Sequence, residues 1–209
     1  MPTIHEAHWR HANLYLSVAD NANDRYTSNT KQDENLRFFD DNVEQIDSAF
    51  SWLLSLSPTQ QTDLLLIQLV DAVSSIGMVR YSIREKLIPL QKLQIEACQR
   101  LSIKEFEADA IDGLGIFYAY LGELQQAVEL FKQALEIANQ ANDKDLAPDI
   151  QNHLRTAQEQ LKNKKPTHQR KKISALVFLI PTWLKLKRHQ IKHDLFGVIT
   201  THNQLGEIY

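Results

Sequence analysis

The sequence predicts an all-α protein of antiparallel helix pairs, and three observations carry the prediction. Only six Gly and six Pro occur among 209 residues, while Leu, Ile, Ala, Gln, Glu and Lys dominate, a balance that favours helix over strand. Apolar residues recur at spacings of three and four, the period of one helix face. Short polar segments punctuate these runs, so that consecutive helices fold back on one another.

The first stretch, "HEAHWRHANLYLSVADNAN", sets Trp9, Ala12, Leu16 and Ala19 on one stripe that Tyr15 and Val18 widen. The polar segment "NDRYTSNTKQDEN" ends it. One second helix is expected over "ENLRFFDDNVEQIDSAFSWLLSL", with Leu36, Phe39, Val43, Ile46, Phe50 and Leu53 inward. Pro58 stops it, and Ser57 or Thr59 caps its successor. The third helix is expected from Gln60 to Ser75, with Gly77 marking the turn. In "MVRYSIREKLIPLQKLQIEACQRL", Pro89 signals a kink or a boundary.

The most informative stretch is "DGLGIFYAYLGELQQAVELFKQALEIANQ". Small residues at Gly115, Ala127 and Ala134 let two helices approach, Tyr118 and Phe131 fill the space beside Leu114, and Gly122 permits a tight turn. This pattern resembles a tetratricopeptide repeat. The resemblance implies a stacked α-solenoid that binds a protein or peptide in its groove. The repeat's terminal Pro is absent, and the second helix is expected to run on through "EIANQANDKD". Leu154 lies forty residues after Leu114 and begins a weaker copy, because Arg155 and Gln158 stand where Gly and Tyr would be. At the end of the chain, "NQLGEIY" restores the pattern with Leu205, Gly206 and Tyr209, and looks like the first helix of a third copy. Upstream, "LVDAVSSIG" reads as part of a degenerate repeat. The stretches "RHANLYLSVADNAN" and "ENLRFFDDNVEQIDSAFSWLL" loosely resemble the helical region before the repeats in bacterial multidomain signalling ATPases.

The expected organisation is therefore a helical region with degenerate repeats over 1–105, repeats over 106–163, a basic helical segment over 164–193, and an incomplete terminal repeat helix over 194–209. The net charge of -3 hides an asymmetry: Lys162 to Lys192 holds ten Lys or Arg and no Asp or Glu. At the centre of this basic segment lies "ISALVFLIPTWL", too short to cross a bilayer and interrupted by Pro181. Its spacing suits a helix covering "IQNHLRTAQEQL", and its charges suit contact with an anionic membrane surface or with nucleic acid through Lys171, Lys172, Lys185, Lys187 and Arg188. No secretory signal opens the chain, and a soluble, cytoplasmic protein is expected.

No phosphate loop, dinucleotide fingerprint or nucleophile triad is present, so neither enzyme activity nor a cofactor is expected. His5, His8 and His11 recur every three residues and His189 and His193 every four, yet the bland reading, helix-face histidines rather than metal ligands, is preferred for both sets. Cys98 reads as a buried, inert thiol, and Asp40 with Asp41, or Glu105 with Glu107, as solvated surface charge. The expected function is non-catalytic scaffolding in signalling or assembly, with a protein or peptide as partner and terminal helices able to pair two copies. Asp112, Ile116, Tyr120, Gln151 and Asn152 are the candidate groove residues, since they adjoin packing positions on first helices. The alternative is a regulatory or sensor fragment whose basic segment docks on nucleic acid or an anionic membrane.

Overall fold

The computed structural model describes residues 3–28 and 32–163, and all the regular structure among them is helical. The segments 164–193 and 194–209 lie outside the described residues, and with them the expectations for Lys171, Lys172, Lys185, Lys187, Arg188, His189, His193, Leu205, Gly206 and Tyr209.

Helix α1 (Ile4–Thr27) begins at a reciprocal cap, in which Thr3 and Glu6 each accept the other's backbone N–H. Its inward stripe is Ala12, Leu16, Ala19 and Ala22, with Trp9 and Tyr15 at the margin. The single second helix expected from the periodicity is two, α2 (Gln32–Asp40) and α3 (Val43–Leu54). They part at Asn42, whose side-chain amide donates to the Phe38 carbonyl at 2.8 Å and whose N–H turns back to Phe39. A local polar side chain has competed for the helical ladder.

Helix α4 (Gln60–Ala72) is capped by Thr59 and is the central helix of this half, packing on α1, α3 and the later helix Ile88–Leu101. Every residue from Thr62 to Val70 is buried, including Asp63 and Gln68, because neighbours cover it all round. At Val73 the chain bends by 59° into α5 (Ser74–Arg80). The bend is held from a distance: Asn23 of α1 accepts the Ser75 and Ile76 N–H groups at 3.1 and 3.0 Å. Gly77, expected to mark the turn, lies inside α5 instead. No single described helix is long and apolar enough to cross a membrane.

After Tyr81 a π-helical turn, Ile83–Leu87, leads into α6 (Ile88–Leu101). The widened turn, with the Leu87 N–H reaching back to Ser82, admits Pro89 in the first turn of α6 without ending the helix. Around this joint, Arg80 forks onto Asp40, while Tyr81 donates to Asp47 and Lys86 pairs with the same carboxylate. Arg84 reaches Glu123, beside the next hairpin.

Helices α7 (Lys104–Tyr120), α8 (Leu124–Gln140) and α9 (Leu146–Lys162) then follow, α8 packing between α7 and α9. Gly122 takes φ +78° in the turn between α7 and α8, a conformation open to glycine. Helix α8 does not run on through Asp145; it ends at Gln140, where Asn142 turns left-handed at φ 56° and Asp143 accepts the first N–H groups of α9. One apolar core joins α1 to α6 and a second fills α7 to α9. Between them Met78, Ile83, Leu87 and Ile88 pack with Leu114 and Phe117.

Candidate functional site

The residues of the repeat pattern meet as packing partners. Leu114, Ala127, Phe131 and Ala134 are buried, Tyr118 is half-buried, and a Cβ placed on Gly115 would lie 2.6 Å from Phe131 Cε1. The missing side chain is thus what brings α7 onto α8. In α9, Ile150, His153, Leu154 and Ala157 face inward, whereas Gln151, Asn152, Arg155 and Glu159 face out.

That arrangement leaves a cleft bounded by the α4–α5 bend, α6, α7 and α9, with about 70 Å³ of internal space. Met78, Ile116, Phe117 and Leu146 form its apolar wall. Gln91 and Gln94 of α6 form a polar strut: Gln91 donates to Gln94 at 2.6 Å and to the Ala110 carbonyl at 3.0 Å, and Gln94 donates to the Ile67 carbonyl at 3.1 Å. One helix is thereby tied to both of its neighbours through buried amides.

The charge in the cleft is one-sided. Asp71, Asp109, Asp112 and Asp149 line it with His153, and among the described residues no Lys or Arg lines it. His153 Nδ1 lies 2.9 and 3.0 Å from the two oxygens of Asp112, both residues being buried, which joins α7 to α9. Burial opposes charge on His153, but the hydrogen bond and charge of Asp112, reinforced by Asp149 and Asp109, raise its pKa on balance. Burial likewise raises the Asp149 pKa, with Asp112 adding to the rise and His153 opposing it. One oxygen of Asp149 is buried without a hydrogen-bond partner. Acidic side chains thus outnumber basic ones in the described lining of the cleft.

Of the expected groove residues, Asp112 and Ile116 come together in this cleft, but Asp112 is buried and engaged by His153 rather than displayed. Tyr120 is exposed a turn further along α7, and Gln151 and Asn152 point outward from α9; none of these three lines the cleft. His153 was missed although it directly follows Asn152. Its signal was a polar residue set between Ile150, Leu154 and Ala157 on an apolar stripe.

The other candidates have structural surroundings. His5, His8 and Trp9 gather around Trp52, while His11 bonds Gln45 and its ring lies tilted against Tyr15. Among the described residues no group of three or more His, Cys, Asp or Glu side chains is placed to hold a metal ion. The Cys98 thiol is buried and pushed up to about 12, first by burial and then by nearby Asp109, Glu107 and Asp63, and so stays protonated and unreactive at neutral pH. Glu107, expected as solvated charge, is buried and accepts from Lys104 and Gln99; burial opposes its charge, but those bonds hold its pKa below the usual value. Neither a family model nor a curated protein matches this chain.

Proposed function

We propose that this chain is a non-catalytic scaffold of the tetratricopeptide type, a short α-solenoid that binds a protein or peptide. The partner's cationic side chain would enter the cleft between α6, α7 and α9. The observation that carries the reading is the buried Asp149 oxygen without a hydrogen-bond partner, on the cleft lining beside the Asp112–His153 pair. A lysine or arginine end would donate to that oxygen, and the apolar wall would take the methylenes of its stem. Further support comes from the Gly115–Phe131 contact and the Gly122 turn, which a helical-repeat hairpin requires. Function in a reducing cytoplasm suits the single, buried cysteine.

A peptide array containing Lys-rich, Arg-rich and Glu-rich sequences tests the reading. The chain should retain cationic peptides, and Asp109→Lys should weaken that retention by about tenfold or more, while Glu136→Lys on exposed α8 surface leaves it unchanged. Equal retention of acidic and basic peptides, or indifference to Asp109→Lys, would remove the cleft from the proposal. Retention of nucleic acid or anionic vesicles instead, lost at high salt, would favour the alternative in which the basic segment makes the functional contact.

A further inference from the structure

We infer that the cleft is gated by a proton on His153: it takes a cationic side chain while the imidazole is neutral and gives it up when the ring becomes charged; the inference rests on the peptide-binding reading of the same cleft. His153 is buried, and among the described residues it is the one side chain of the lining that can become a cation. Asp149 stands four residues before it on α9, and residues so spaced are neighbours on a helix face, with Cβ atoms about 5–6 Å apart. A guest cation donating to the partnerless Asp149 oxygen therefore lodges beside the His153 ring, in a space of only about 70 Å³. Two positive charges that close disfavour one another, and both draw on the same carboxylate. The proton and the guest compete.

Titration changes the charge of the cleft without dismantling it. A carboxylate only accepts, so Nδ1 of His153, at 2.9 and 3.0 Å from the two Asp112 oxygens, carries a proton in both states of the ring. The further proton enters at Nε2, the bond from α9 to α7 is kept, and Phe131 stays against the ring with centroids 5.6 Å apart. Asp112 and Asp109 of α7 and Asp149 of α9 act on the imidazole, and Asp71 of α4 lines the same cleft. Asp71 and Asp109 have partners of their own, so the competition lies between the guest and the imidazolium at Asp112 and Asp149. Burial disfavours the charged ring, but Asp112 above all, with Asp149 and Asp109, favours it and sets the folded pKa above 6.5. Above that pKa the ring is neutral and the cleft accepts a cation; as pH falls through it the ring charges and affinity is lost. By linkage, a bound cation must lower the His153 pKa in return.

Fluorescence polarisation of dye-labelled hexalysine on the full chain, in a pH series running from well above 6.5 to below it, tests the gate. Binding should be tightest at the alkaline end and weaken by about threefold to tenfold as the ring charges. His153→Gln, which cannot take up the proton, should show no such loss over the same series. A loss that persists in His153→Gln assigns the effect to a carboxylate and overturns the inference. Binding by the natural chain that does not change with pH overturns the gate while leaving the peptide-binding reading standing; no binding of hexalysine at any pH overturns both. A second measurement needs no variant. The ring protons of His153, identified by proton NMR through their proximity to the Phe131 ring, should titrate with a midpoint that saturating hexalysine moves down by about half a unit to one unit. A midpoint that hexalysine leaves in place, where hexalysine binds, overturns the gate by itself.

Discussion

The two halves of the molecule solve the packing of helices differently. In the first, α4 is covered on all sides, so its buried Asp63 must be answered by Arg100 at 2.7 and 2.8 Å, and its abrupt end by Asn23 of another helix. In the second, α7, α8 and α9 are amphipathic or small-faced helices that pack on the helices next to them in sequence, and their turns are made by their own Gly122 and Asn142. The first half depends on polar bonds between residues far apart in sequence. Apart from the Asp112–His153 pair that joins α7 to α9, the second depends on side-chain size at close contacts, a property that neighbouring helices settle between themselves.

The largest test of that difference is Phe131→Ala, which should cost about 3–5 kcal/mol in denaturant unfolding because it empties the space against Gly115. Amide exchange should accelerate chiefly in α7 to α9, leaving α1 and α4 protected; uniform acceleration would show a single cooperative unit instead. Gly115→Ala should cost about 1–3 kcal/mol by overpacking, and Phe131→Leu should restore part of that loss when the two are combined.

In the first half, Arg100→Met should cost about 2–3 kcal/mol, since it strands the buried Asp63 carboxylate. Asp63→Asn should cost less, as the partly exposed Arg100 can turn to water. Denaturant midpoints for the pair of variants check the ordering, and the reverse order would contradict the burial argument. Asn23→Ala should cost about 1 kcal/mol by uncapping α5.

The smallest expected effect is a pH dependence across the α7–α9 contact. A histidine whose folded pKa is raised above 6.5 contributes stability that is fully present below that value and is lost as pH rises through the folded pKa. Unfolding midpoints should therefore decline as pH rises above 6.5, and His153→Gln should flatten the decline. A slope that persists in His153→Gln would assign the effect to another group.

The same contrast explains what could be read from the residues. The α7–α8 hairpin was legible because Gly115, Gly122, Ala127 and Phe131 each state a local requirement of size or backbone conformation. The divisions at Asn42 and Val73 were not, since apolar spacing continues across both and the bend after α4 is secured by a side chain some fifty residues earlier. The cleft was half visible. Asp112 and Ile116 were placed on the right helix, but the partner of Asp112 lies 41 residues away, and periodicity carries no information about such pairs. Asp71, Asp109 and Asp149 look like ordinary surface acids until folding gathers them.

The π-helical turn at Ile83–Leu87 has a consequence for how insertions and deletions are tolerated. Deleting one residue there would restore an ordinary α-turn and rotate everything after it by ~100° about the axis of α6. Gln91 and Gln94 would swing away from the Ala110 and Ile67 carbonyls, and the cleft would lose the strut between its halves. Length at this one turn, rather than the identity of any residue in it, keeps the two halves in phase.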